Sequence, residues 1–273
     1  MLFCLSTSVY YYRPKEKPED IKITSELGRL ASRHPRWGFW MMYHYLRLND
    51  YWWNHKRVYR VYTDMKLNLR RPYKKRLPKR PKESLVQPLF PNMTWSMDFM
   101  SDGLIGGKSF RSFNVIDDFN REALNITIDR SIPSRRVIRE LDKLIEWRGK
   151  PEKLRVDNGP EFLAQIMKDW CEEHQITLTY IQKGKPSQNG YVERFNRTFR
   201  EEILDAYAFE SLEQARMLAQ AWLWIYNNER PHDAIGNVPP RLFLERRIGK
   251  EQTPGLQQDL EYSYDYLIAN VAS

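Results

Sequence analysis

Residues 68–92 cannot enter a hydrophobic core, and this divides the chain. Arg70, Arg71, Lys74, Lys75, Arg76, Lys79, Arg80 and Lys82 alternate there with Pro72, Pro78 and Pro81, and Pro88 and Pro91 follow. Such a run has almost nothing to bury, repels itself, and is held extended by its prolines. Folding must therefore happen on either side of it. The formal net charge is +9, which suits a polyanionic partner, although a merely basic protein would carry the same number. Lys74, Lys75 and Arg76, in the middle of the run, are candidates to neutralise backbone phosphates. A solubilising tether is the plainer reading of the same residues.

Upstream, residues 19–67 read as three short helices. Ile23, Leu27, Leu30 and Ala31 recur at helical spacing, and His34-Pro35-Arg36-Trp37-Gly38 breaks the pattern. Phe39, Trp40, Tyr43 and Leu46 begin a second helix. A third runs over Asn54–Tyr62, with Val58, Val61, Tyr62 and Met65 inward and Lys56, Arg57 and Arg60 on its other face. A compact trihelical unit with a basic last helix fits a DNA-binding helix-turn-helix. A small bundle with a solvated basic face is the alternative. Residues 1–18 look like a fragment and 249–273 show little pattern.

Downstream, 93–248 alternates in period. Thr94–Met100, Phe110–Asp117 and Ala123–Asp129 carry strand signals and read as an antiparallel meander. Ser134 caps a helix through Trp147. Leu154–Val156 is a strand, and a helix with Phe162, Ile166, Trp170 and Cys171 inward follows it. Then come a strand, Thr177–Ile181, and a helix through residues 191–203. Ser211-Leu212-Glu213-Gln214 reads as a capping box opening a long helix. Pro239-Pro240-Arg241-Leu242-Phe243 begins a short closing one.

Three acids stand out on this frame. Asp98 lies inside the β-rich run Trp95-Ser96-Met97-Asp98-Phe99, and Asp157 follows the apolar run Leu154-Arg155-Val156. A carboxylate among apolar strand residues is costly unless it is paired, hydrogen-bonded or bound to a cation. Glu193 lies on the helix whose apolar face is Val192, Phe195, Phe199 and Ile203. It shares a polar stripe with Arg197 and Arg200. A surface Glu–Arg pair at i,i+4 is the commoner meaning of that spacing. With the two aspartates, however, Glu193 completes an all-oxygen ligand set suited to Mg²⁺ or Mn²⁺. Asp117, Asp118, Asp102 and Glu161 are rival acids. Asp118 is expected in a turn or paired with Arg121. The five histidines show no zinc spacing, and His232 reads as structural. Cys4 and Cys171 make no metal or disulfide framework.

The order Asp98, Asp157, Glu193, with thirty-five residues between the last two, resembles the DDE transposase and retroviral integrase superfamily. Trp95-Ser96-Met97-Asp98-Phe99, Val115-Ile116-Asp117-Asp118-Phe119-Asn120-Arg121, Val156-Asp157-Asn158-Gly159-Pro160-Glu161-Phe162 and Tyr226-Asn227-Asn228-Glu229-Arg230-Pro231-His232 are similar to the second-reading-frame (OrfB) transposases of bacterial insertion sequences. The likeness runs from about Tyr10 to Leu244. It implies an α/β fold: an RNase H-like integrase catalytic core, a mixed five-stranded sheet flanked by helices, preceded by a small all-α helix-turn-helix-like domain. It also implies that Asp98, Asp157 and Glu193 hold two Mg²⁺ ions for cutting and joining of DNA ends without a covalent protein–DNA intermediate. Lys185, Gln188 and Asn189, in the loop before Glu193, are then expected to touch DNA near the scissile phosphate, with Arg197 and Arg200 beyond them.

The implied partners are double-stranded DNA (element terminal repeats and target), an upstream-frame (OrfA-type) protein or fusion, and further copies of the chain assembled on DNA. No run reaches membrane-spanning length, and Met1 to Val9 lacks the basic start and apolar core of a signal peptide. A cytoplasmic, nucleoid-associated protein is therefore expected. Two function classes remain open at this point. One is a strand-transfer enzyme. The other is a non-catalytic DNA-binding regulatory fragment of a longer frameshift-fused transposase.

Overall fold

A computed structural model describes residue 11 and residues 17–69, 85–182 and 186–249. These fall into two compact units, 17–69 and 85–249. The central basic run, with Lys74, Lys75 and Arg76, lies outside the described residues, as do Lys185 and the tail from 250.

The first unit has three helices, α1 (Pro18–Arg33), α2 (Phe39–Leu48) and α3 (His55–Asp64). Pro18 opens α1 and Glu19 and Asp20 sit in its first turn, where the helix dipole favours acids. Asn54 caps α3 by accepting the Lys56 N–H at 2.9 Å. Ile23, Leu27, Leu30, Trp37, Leu46, Val58 and Tyr62 are all nearly inaccessible to solvent. Trp40, in the first turn of α2, is 58% exposed. The core side of α2 is taken by Met42, Tyr45 and Leu46, and Trp40 falls off that stripe.

The second unit is built on a five-stranded sheet of order β3-β2-β1-β4-β5. Its strands are β1 (Thr94–Gly103), β2 (Ser109–Asp117), β3 (Ala123–Asp129), β4 (Lys153–Val156) and β5 (Thr177–Tyr180). β1 pairs antiparallel with β2, and β2 with β3; β1–β4 and β4–β5 are parallel. Helix α4 (Ser134–Arg148) makes the crossover from β3 to β4. Two helices, α5 (Pro160–Leu163) and α6 (Gln165–Glu173), connect β4 to β5. After β5 come α7 (Gly190–Phe199), α8 (Leu212–Asn228) and α9 (Pro240–Ile248).

Alternation along the strands sorts side chains into two cores. Trp95, Met97, Phe113 and Val115 face Leu141, Leu144, Phe162 and Trp170. Met100, Phe110 and Ile126 face Val192, Phe195, Phe199 and Trp222. Asp98 shares its phase with Met100, so it points to the face that α7 covers.

Three local expectations change. The helix expected over Phe162–Cys171 is broken at Ala164, whose ψ is 140°. The break shifts the phase and leaves Ile166 40% exposed. Beyond α7 the helix widens into a π turn over Arg200–Leu204. Ser211 does cap α8 through the Gln214 N–H at 3.1 Å. Gln214, however, accepts from Glu210 N rather than from Ser211 N, so the box is closed one residue early.

Candidate active site

Asp98 and Asp157 are brought together by parallel pairing. Trp95 lies opposite Leu154 and Ser96 opposite Arg155. Continuing that register two residues puts Asp98, in the middle of β1, beside Asp157, just beyond the end of β4, on neighbouring strands about 4.8 Å apart. Asp157 follows β4 immediately and its Oδ1 accepts the Gly159 N–H at 3.0 Å. A Cβ at Gly159 would stand 3.0 Å from that same oxygen, so the tight turn needs glycine for close approach. Asn158 ties the turn to Ile181 O at 2.9 Å. Glu193 comes to the site on α7, which packs on β1 and β2.

Asp98 lies within the field of both other acids. Burial pushes the Asp98 carboxyl up to about 6; its own Phe99 N–H opposes this, and the charges of Asp157 and Glu193 add to it. Glu193 is raised by burial and held down by Arg197. The set therefore fits a hard divalent cation: its donors are all oxygens, and their mutual repulsion is what such an ion relieves. Among the described residues, no trio of His, Cys, Asp or Glu side chains is already closed around one point.

Two asparagines complete the surroundings of Asp98. Asn196 Nδ2 donates to Asp98 Oδ2 at 2.8 Å, and Asn196 Oδ1 accepts from Asn114 Nδ2 at 2.7 Å. Asn114 lies directly opposite Asp98 in the β1–β2 ladder and is fully buried. The relay fixes which way the Asn196 amide faces, and so which Asp98 oxygen it grips. The sequence reading missed both residues. Asn196 did carry a signal: it stands four residues after Val192, on the core stripe of α7, where an apolar side chain would be expected.

The rival acids are engaged elsewhere. Asp117 is fully buried and accepts the N–H groups of Asn92 and Phe119, each at 2.9 Å. Arg148 reaches it at 3.6 Å and reaches Glu122 at 2.6 Å. Asp118 opens the turn after β2, as one of its two expectations had it, and it pairs with Arg155 at 2.6 Å rather than with Arg121, which lies 3.5 Å over the Tyr191 ring. Glu161 is held by Arg111. Asp102 is held by Arg200 at 3.3 Å. His232 is half-buried against Tyr226, and desolvation together with Arg230 keeps its pKa well below the usual imidazole range.

The expected DNA contacts divide. Arg197 is exposed beside Glu193. Arg200 does not share the Glu193 stripe in use: its guanidinium donates to Ser101 O at 3.0 Å and pairs with Asp102. Asn189 is only 2% exposed and donates to Met97 O at 3.2 Å, so it ties α7 to β1 instead of facing outward. Gln188 accepts the Gln182 N–H at 2.9 Å. In the first unit, Lys56 is exposed, whereas Arg57 and Arg60 are paired with Asp20.

The model described as "Integrase core domain" matches residues 89–186, a second of the same description matches 174–240, and "HTH-like domain" matches 23–76. The larger unit is thus an integrase core of the kind that serves DNA transposition and integration. A protein of insertion element IS407 from Burkholderia multivorans is 36% identical over 94% of this chain and 92% of its own length. One of insertion element IS476 from Xanthomonas euvesicatoria is 37% identical over 88% of this chain and 69% of its own. The simian T-cell lymphotropic virus intasome in complex with PP2A regulatory subunit B56 gamma shares the fold, with a TM-score of 0.52 at 18% identity over 85% of this chain and 78% of that one. The chain belongs to the insertion-element transposases of the second-reading-frame type, within the integrase superfamily. No helix among the described residues is long and apolar enough to cross a membrane.

Proposed function

We propose that this chain is the catalytic subunit that cuts and joins the DNA ends of its element, with Asp98, Asp157 and Glu193 holding Mg²⁺ or Mn²⁺. The observation that carries this reading is the shared field of the three acids: Asp98 is pushed up to about 6 by burial, with Asp157 and Glu193 adding to the effect. When bound, a pair of such ions supplies Lewis acidity to the attacking and the departing oxygen of the scissile phosphate. The chain's own groups do the rest. Asn196 and the Phe99 N–H hold Asp98 in one rotamer, and the Gly159 N–H does the same for Asp157. Arg197 offers a cation beside the acids for the DNA backbone. In the first step water attacks phosphorus and the P–O3′ bond breaks, leaving a 3′-hydroxyl. In the second step that hydroxyl attacks a target phosphate, and the target's own 3′-oxygen leaves. The trihelical unit binds terminal-repeat and target duplex through Lys56, Arg57 and Arg60. Further copies of the chain and the upstream-frame product complete the assembly.

The test is cleavage and joining of element-end DNA by the purified chain, with and without the upstream-frame product. Glu193→Gln keeps the shape and removes a charge that helps to hold a cation. Strand transfer should fall by orders of magnitude, about what loss of a two-metal site removes, with duplex binding retained. Ca²⁺ should support binding but little chemistry. Near wild-type joining by Glu193→Gln, or full activity in EDTA, would sink the assignment of the metal site, whereas duplex binding with no cleavage or joining under any of these conditions would favour the non-catalytic regulatory reading.

A further inference from the structure

Two of the three cations on the basic face of α3, Arg57 and Arg60, are already engaged. Arg57 Nε donates to Asp20 Oδ1 at 2.6 Å, and Arg60 Nη2 donates to Asp20 Oδ2, also at 2.6 Å. Arg57 also pairs with Glu19, and Arg60 lies 3.6 Å from Asp64 on its own helix. One carboxylate therefore grips two guanidinium groups, one on each oxygen. It does so across the fold, from the first turn of α1 to the face of α3. The Asp20 side chain is 21% exposed and that of Arg57 27%, so these contacts are only partly open to water.

A carboxylate offers two acceptor oxygens much as the two free oxygens of a phosphodiester do, and both form short charge-assisted bonds to arginine. Asp20 thus stands where a backbone phosphate would stand if α3 lay against a duplex. We propose that Asp20, with Glu19 beside it, is a specificity-determining residue that holds Arg57 and Arg60 in place of DNA. This rests on the reading of α3 as the DNA-contacting helix. Exchanging Asp20 for a phosphate replaces one pair of charge-assisted bonds by another, so contact with the backbone alone gains little. A duplex that also offers base-edge contacts adds a term that Asp20 cannot match. In a chain of net charge +9, such a competitor suppresses the sequence-independent binding that positive charge otherwise brings.

The test is titration of the full chain, by fluorescence anisotropy over a range of salt, against a terminal-repeat duplex and a scrambled duplex of equal length. Asp20→Asn should tighten binding to the scrambled duplex about five- to tenfold, the worth of two partly exposed ion pairs. Its effect on the terminal repeat should be smaller, so discrimination falls. The slope of log affinity against log salt should steepen by about 1–2 units, at roughly 0.9 per added phosphate contact. Asp50→Asn makes the same charge change on the α2–α3 connection and should do neither. If Asp20→Asn matches Asp50→Asn, the proposal is wrong. Should Asp20→Asn fail to fold, Glu19→Gln, at the more exposed partner of Arg57, must shift scrambled-duplex binding in the same direction, and no shift overturns the idea. An Arg57→Gln/Arg60→Gln variant separates the two claims. If it binds both duplexes as wild type does, the DNA-reading role of α3 fails. If it loses discrimination while Asp20→Asn gains nothing, only the role of Asp20 fails.

Discussion

Arg148→Met should unfold the larger unit more readily than any change at the acids of the site. Arg148 is the last residue of α4 and its side chain has no exposed surface. It faces two carboxylates that are equally dry, Asp117 at 3.6 Å and Glu122 at 2.6 Å. Methionine fills much of the volume but leaves two buried acids with only Arg241, 3.6 Å from Glu122, as a nearby cation. Removing one member of a buried ion network destabilises by about 3–5 kcal/mol, because the remaining charges stay uncompensated. At roughly 2–4 °C per kcal/mol for a unit of this size, Tm should fall by about 6–20 °C. The loss should depend on pH with a defined sign. Asp117 already titrates near 6 in the folded chain, chiefly because it is buried, with Arg148 opposing the rise. An acid whose folded pKa is raised contributes stability that is present below its unfolded value, about 3.9, and is lost as pH rises through the folded value. Without Arg148 the folded value rises further, so the deficit should be largest at pH 7.5 and shrink toward pH 5. Thermal melts of both proteins at several pH values make the measurement. A variant that melts within about 2 °C of wild type, or a deficit that grows on acidification, would refute the account of Arg148 as the neutralising centre.

Two further outcomes are expected. Asn196→Leu keeps the volume but removes the side-chain amide that holds Asp98; if Asp98 holds the metal as proposed, the Mg²⁺ concentration for half-maximal joining should rise about tenfold or more, as for other residues that orient metal ligands. Duplex affinity should change little, Tm should fall by a few degrees because the buried Asn114 amide loses its acceptor, and an unaltered Mg²⁺ requirement would remove Asn196 from the site. Replacing Lys74, Lys75 and Arg76 together with Gln should flatten the salt slope by up to about 3 units while leaving discrimination between duplexes intact, and a slope equal to wild type would deny the run a DNA-tracking role.

The fold was legible because its elements obey single-period rules. β3 spans Ala123–Asp129, the bounds its strand-forming residues indicate, and α4 needs only Val137, Leu141 and Leu144 to show its buried stripe. What was misplaced depends on backbone detail that periodicity does not carry. Ala164 breaks a helix without proline or glycine to announce it, and that break alone exposes Ile166. The π turn after Phe199 likewise alters what Arg200 can reach, and seven-residue spacing from Glu193 ceases to mean a shared face.

At the site, the acids were readable because an isolated carboxylate in an apolar strand is conspicuous, whereas its supporting contacts depend on tertiary pairing. Asp98 and Asn114 are sixteen residues apart and meet only because β1 and β2 fold back in one particular register. Asp118 had two arginines within reach of a plausible pairing, and the winner, Arg155, lies on β4. This choice has a consequence for the chemistry. Arg155 sits opposite Ser96 in the β1–β4 pair, two residues before Asp157. Its bond to Asp118 therefore pins β4 to the end of β2 on the same stretch that sets Asp157 beside Asp98. The acids that first looked like rivals for the metal are, on this geometry, the anchors of the strands that carry Asp98 and lead into Asp157. Asp117 and Asp118 are bound to cations from α4 and β4, whereas Asp98 carries the added charge of Asp157 and Glu193.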